Sequence, residues 1–294
     1  MSRQQQEDAV TLANDTLELT VVALGAEMQS LRCQGTEFLW HGDAAYWSGR
    51  APVLFPIVGP APGGVIEIGA FSAEMAQHGF ARRSVFDLVA QDATSCTHRL
   101  TPTPQIRAQY PCDFALSVTH RLDGGTLAVV AEVENTGAET LPFGFGFHPA
   151  FLWPLPGAED QPHWVRLENR GEPPLARIRD KRLPEDRLPS PFSDGYLALD
   201  PAQFEDDAMI FPEGAGQALT YGAENGPSLR FAFETLPHLG LWSKPSGAPF
   251  LCVEPWHGMH ARTGASAQLG DRPGSLELPP GQTARFAYHV TPTL

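Results

Sequence analysis

Short runs in which apolar and polar positions take turns recur from one end of this chain to the other. Leu17, Leu19 and Val21 alternate with Glu18 and Thr20. Phe114, Leu116, Val118 and His120 alternate with Ala115, Ser117 and Thr119, and Leu127, Val129, Ala131 and Val133 alternate with a set that includes Glu132 and Glu134. The rhythm returns at Leu229, Phe231 and Phe233 and again at Phe286, Tyr288 and Val290. A period of two places successive side chains on opposite faces of a strand, and the Gly, Pro, Asn and Asp clusters between runs supply turns. The pattern predicts antiparallel sheet, with a hairpin at Asp123-Gly124-Gly125. The best helix candidate is short, with Asp200 as N-cap and Pro201 in the first turn ahead of AQFEDDAM. Nothing alternates strands with long amphipathic helices, as a parallel α/β sheet requires. The expected fold class is therefore all-β, a large antiparallel β-sandwich with few short helices, built as a single domain over residues 1–294. The proline- and charge-rich stretch 154–191 is expected to be an extended insertion across the surface.

The most informative run is FGFGFHPAF, residues 143–151. In a strand, Phe143, Phe145 and Phe147 fall on one face; Gly144, Gly146 and His148 fall on the other. Two readings stand for the bare face. It is a floor for a flat polar ligand beside an imidazole, or the glycines mark a bulge and His148 is merely hydrogen-bonded. Pro149 has no N–H to donate and should stop the ladder.

Composition narrows the function classes. The 294 residues include 28 glycines and 28 prolines, which fits many turns and few helices. A formal net charge of −14 argues against nucleic acid and anionic membrane as partners. No run of about 18 apolar residues predicts a membrane span, and the polar start MSRQQQEDAV lacks the apolar stretch of a signal peptide. A cytoplasmic protein, monomer or homodimer, is expected. Cys33, Cys96, Cys112 and Cys252 are widely spaced with no CxxC pair, and Cys33 and Cys252 read as buried small hydrophobes.

Several side chains are candidates for chemistry. Glu254 closes the apolar run FLCVE; partial burial there raises a carboxyl pKa and suits it to general base work, whereas a rim position leaves it solvated. Trp256 offers a flat face for a sugar ring, or ordinary packing. His78 and Arg82 sit in HGFAR, where Gly79 permits a tight bend. Arg50 precedes Pro52 and LFPIVG and can fork onto hydroxyls or a carboxylate, or form a surface ion pair. Of Asp206 and Asp207, one can turn inward. Glu254, His257 and His260 are close in sequence, but Pro255 and Gly258 disfavour the helix that His257 and His260 would need to share a metal, and the HExxH pattern is absent; no metal is expected. No phosphate loop, dinucleotide fingerprint or GxSxG elbow occurs.

Taken in order, Arg50-x-Pro52 with LFPIVG, HGFAR, the Asn135–Gly137 turn, GFHPAF, LWSKP and CVEPW resemble the aldose 1-epimerase (galactose mutarotase-like) superfamily, and in particular its LacX-like bacterial branch. The resemblance implies the supersandwich form of the β-sandwich, a sugar site on its concave face, a small-molecule sugar as partner, and no metal or organic cofactor. It also implies roles: His148 the general acid, Glu254 the general base, His78 a second active-site histidine, Arg50 and Asp207 substrate contacts, and Trp242 and Trp256 aromatic positions of the branch. GFHPAF departs from the fuller pattern of the galactose enzymes, which leaves the sugar open. The expected activity is interconversion of the α and β anomers of an aldohexose by ring opening. A hexose-6-phosphate mutarotase, for which Arg82, Arg83 and Arg107 are candidate phosphate contacts, a non-catalytic sugar-binding protein and a two-carboxylate glycoside hydrolase remain alternatives.

Overall fold

A computed structural model describes residues 9–245 and 247–294. Strands dominate, and the alternating runs each become one. Leu17–Val22, Phe114–Asp123, Thr126–Asn135, Ser228–Glu234 and Thr283–Thr293 form where the period of two predicts them. The expected hairpin is present: Asp123 pairs with Thr126 across Gly124 and Gly125.

Two antiparallel sheets matter for the site. The larger has nine strands in the order Tyr196–Ala198, His163–Leu167, Ala218–Ala223, Ser228–Glu234, Thr283–Thr293, Thr126–Asn135, Phe114–Asp123, Ser95–Leu100 and Asp87–Gln91. The smaller orders Met209–Phe211, His238–Trp242, Phe250–His257, Phe145–Phe147 and Val53–Leu54, and Ala150–Leu152 also pairs with Phe250–His257. Aromatic rings join the two layers. Phe145 stacks on Phe286 at 4.7 Å, and Phe147 meets Tyr288 edge-on at 4.9 Å. The three phenylalanines at 143, 145 and 147 are buried in this shared core, so one face of the smaller sheet is committed to packing and the other is free for function.

Three expectations change. The stretch 154–191 is more than a surface insertion: it supplies His163–Leu167 to the large sheet and buries Leu155, Leu175, Ala176 and Leu183. The reason is local alternation too short to stand out among prolines. The ladder interrupted at His148 and Pro149 resumes at Ala150, so Pro149 breaks the pairing without ending it. A helix also forms at Pro104–Gln109, where Thr103 caps Ile106 N–H at 3.2 Å and Pro104 opens the first turn. The Asp200 candidate is a single 3-10 turn, Pro201–Phe204, with a full capping box. No helix among the described residues is long and apolar enough to cross a membrane.

Candidate active site

Strand parity builds the site. On Phe250–His257, the even positions Cys252, Glu254 and Trp256 share a face. They pair with Trp242, Gly240 and His238 on one side, and Trp256 pairs with Gly146 on the other. His148, two residues beyond Gly146, continues that face. The odd positions, Leu251 and Val253 with Leu239, Leu241, Phe145 and Phe147, turn into the core. A polar strip thus emerges on one side of a sheet whose other side is largely apolar, with His257 against Phe286 at its end.

Above this strip lies a cavity of about 350 Å³, lined by Trp47, Gln77, His78, Arg82, His148, Ile178, Asp207, Ala208, Trp242, Glu254, Trp256 and His260. At its centre, His148 Nε2 lies 3.2 Å from a Glu254 carboxylate oxygen. Glu254 is only 2% exposed and His148 8%, so the solvated reading of Glu254 does not hold. Burial pushes the Glu254 carboxyl well above the usual carboxylate range, with a further push from Asp207. Burial also drives His148 down to about 3. Both shifts favour the neutral form of the buried group. His148 is held by a face-to-face contact with Trp47, ring centroids 5.0 Å apart, and its Nδ1 has no hydrogen-bond partner.

His78 enters from a backbone turn. His78 and Gly79 both have positive φ, +65° and +72°. A Cβ at Gly79 would lie 2.1 Å from the Phe55 carbonyl oxygen, so only glycine fits there. The turn lets Gly59 N–H donate to His78 Nδ1 at 3.0 Å. Burial, followed by the neighbouring His148, holds His78 well below its ordinary value, so the ring is neutral with its proton on Nε2. On the far wall, Trp242 Nε1–H donates to Asp207 Oδ1 at 2.8 Å. Asp207 faces the cavity, whereas Asp206 lines a separate surface depression beside Arg177.

The bare strip of the GFGFHPAF strand is not itself the floor. A Cβ at Gly146 would stand 2.5 Å from Trp256 Cδ1, and one at Gly240 2.7 Å from Trp256 Cη2. The indole occupies the space that the two glycines leave, and it is the indole that the cavity meets. Arg50, too, departs from expectation. It does not line the cavity; its guanidinium donates to Gln29 Oε1 at 2.6 Å and its backbone N–H to Glu27 Oε1 at 2.9 Å. It anchors the loop that carries Trp47. Of the three arginines considered for phosphate, only Arg82 reaches the cavity; Arg83 lines another depression, and Arg107 pairs with Asp113.

The model of the family described as aldose 1-epimerase matches residues 8–172, more than half of the chain. The chain belongs to the aldose 1-epimerase family. Its curated relatives include the plasmid-borne protein LacX of Lactococcus lactis subsp. lactis, 29% identical over 297 residues that cover 96% of this chain and 98% of that protein. Among solved structures, a galactose mutarotase related enzyme from Lactobacillus acidophilus superposes with a TM-score of 0.91 at 28% identity, covering 97% of both chains. A galactose mutarotase-like protein from Lactobacillus casei does so at 0.90 and 25% identity, covering 97% of this chain and all of that one. These establish the galactose mutarotase-like fold.

Within this member of the epimerase family, sequence reasoning missed Trp47, Gln77, Ile178, Ala208 and His260 as cavity residues. Trp47 carried a faint signal, an aromatic pair Tyr46-Trp47 in a polar loop just before Gly49. Ile178 lay inside the stretch read as an insertion. His257 Nδ1 meets the Gly274 carbonyl at 3.1 Å, and His260 packs over Gly59 and toward Trp256.

Proposed function

We propose that this chain is an aldose 1-epimerase acting on an unphosphorylated aldohexose, with Glu254 and His148 as its acid–base pair. One observation carries the reading: the 3.2 Å contact between Nε2 and the carboxylate oxygen at the cavity floor. Anomer exchange needs a proton taken from the C1 hydroxyl and a proton given to the ring oxygen. Those two oxygens share one carbon, so the groups serving them must be neighbours too. With both groups favoured in their neutral forms, the pair carries no net charge and one proton lies between them. Shifting that proton from Glu254 to Nε2 creates a carboxylate and an imidazolium in place, at no change in total charge.

The carboxylate then takes the C1 proton while the imidazolium protonates the ring oxygen. The C1–O5 bond breaks, the C1–C2 bond rotates, and closure onto the other carbonyl face runs the transfers backwards. Each partner of such a pair contributes about 10²–10⁴-fold. Trp256 offers the ring a platform, Asp207 and Arg82 bind hydroxyls, and the neutral His78 donates Nε2–H to a substrate oxygen. Among the described residues the cavity offers one arginine, Arg82, and no lysine, which suits a neutral sugar better than a phosphate dianion.

The test is NMR exchange spectroscopy between the anomers of glucose, galactose and their 6-phosphates. Exchange faster than the uncatalysed rate, lost in both His148→Asn and Glu254→Gln with the fold intact, is the expected result. Full rate in either variant would sink the assignment. Line broadening without faster exchange would indicate a sugar-binding protein, and preference for the 6-phosphates a phosphosugar enzyme.

A further inference from the structure

Cys252 precedes Glu254 by two positions on Phe250–His257 and so faces the same side of the sheet. The reaction above gives this thiol nothing to do. It is fully buried, against Trp40, Ala150 and Phe250. Yet its Sγ, a ring nitrogen of His148 and a carboxylate oxygen of Glu254 all lie within 4.8 Å of one another. Among the described residues, this is the one group of three or more His, Cys, Asp or Glu side chains gathered so closely.

The spacing has a chemical meaning beyond proximity. Two donors bound tetrahedrally to zinc, with bonds of about 2.0–2.2 Å to nitrogen and oxygen, stand roughly 3.3–3.5 Å apart. His148 Nε2 and the Glu254 oxygen are already at 3.2 Å. A sulfur bond of about 2.3 Å asks for edges of roughly 3.6 Å, so the thiol needs to close in by about an ångström at most. The three donors are one nitrogen, one sulfur and one oxygen, and the thiolate selects soft or borderline cations over magnesium and calcium. A thiolate and a carboxylate together balance a dication, which leaves the buried site without net charge. His148 and Glu254 line the cavity, from which water or a sugar hydroxyl could supply a fourth ligand.

We propose that His148, Cys252 and Glu254 form a binding site for a soft divalent cation of the zinc class, and that its occupation switches off the acid–base pair. The atoms that carry the shuttled proton are the atoms that would hold the metal, so coordination and proton transfer exclude one another. The binding part stands on the geometry alone; the inhibitory part rests on the function proposed above.

Cobalt(II) serves as the probe, because a thiolate ligand gives it a near-ultraviolet charge-transfer band. Titrating the chelator-treated full chain is expected to produce that band, saturating at one equivalent and abolished by zinc. Cys252→Ser and Cys252→Ala, with circular dichroism unchanged, should each lose it. Absence of the band, or its full survival in a folded Cys252 variant, overturns the site, since Cys33, Cys96 and Cys112 remain in both variants. Zinc at one equivalent should slow anomer exchange by about tenfold or more, reversibly on chelation; unchanged exchange with the site filled overturns the switch. A chain that binds cobalt through Cys252 but exchanges no sugar upholds the site and removes the enzymatic reading instead.

Discussion

Trp256 shows how much a single side chain owes to its neighbours' lack of one. Its ring fills the gaps above Gly146 and Gly240, and a methyl group at either would enter the indole. Gly146→Ala is therefore expected to tilt the ring, raise KM more than it lowers kcat, and cost about 1–3 kcal/mol of stability. Steady-state kinetics, tryptophan fluorescence and urea unfolding read these three effects. The alternation in GFGFHPAF was legible as a face of rings against a face of glycines, and that division is present. What the strand could not reveal was which partner would lie across the glycines. That depends on Gly146 pairing with Trp256, over a hundred positions away, and no local pattern encodes a register. The state of the proposed acid–base pair also belongs to this scale. With Glu254 raised and His148 lowered by burial, a protonated carboxyl beside a neutral imidazole is the favoured state of the pair. Activity should hold as pH falls from neutral toward 5 and drop as pH rises past the upper titration of the pair, where the shared proton is lost. A pH profile of kcat/KM with its steeper limb on the acid side would contradict this.

At the scale of elements, the site rests on a turn and a loop. The His78-Gly79 turn carries consecutive positive φ angles and brings Gly59 N–H onto the histidine ring. Gly79→Ala forces a Cβ into the Phe55 carbonyl and is expected to cost about 2–4 kcal/mol, by chemical denaturation, along with most activity. HGFAR was readable because glycine beside histidine announces such a bend. The loop preceding Pro52 was read less well. Its arginine drew attention as a substrate contact, yet the loop brings Trp47 to the histidine and uses Arg50 as an anchor on Gln29 and Glu27. A charged residue stands out in a sequence; an aromatic that leans on a ligand-facing ring does not. Trp47→Ala should free the His148 ring and lower kcat by about tenfold or more without unfolding the chain, measured by anomer exchange alongside circular dichroism.

For the whole molecule, buried imidazoles set the response to acid. His120, His148 and His260 are each driven to about 3, in every case chiefly by burial. In the unfolded chain each takes up its proton near about 6.5. Between those values the unfolded state binds more protons, so stability declines as pH falls from about 6.5 toward 3, by about 1.4 kcal/mol per pH unit for each such group. Glu254 works in the opposite sense, because it keeps in the fold a proton that the unfolded chain releases, and its contribution declines as pH rises. One carboxyl against these three histidines, with His78 lowered as well, leaves the acid limb dominant. Urea midpoints taken between pH 7 and 4 should fall steadily, and His120→Leu should flatten the slope; a flat wild-type profile would refute the account. The class of fold was legible at this scale because sheet alternation survives in each run separately. The order of strands was not, and it carries a consequence for how the molecule is made. Thr283–Thr293 follows every other strand in sequence yet sits in the middle of the nine, between Ser228–Glu234 and Thr126–Asn135. Without it the large sheet would fall into two halves with raw inner edges, each a template for the wrong neighbour. Closing the large sheet thus takes a zip through its centre, and a chain cut before Thr283 is expected to become a substrate for chaperones and proteases rather than a smaller folded protein.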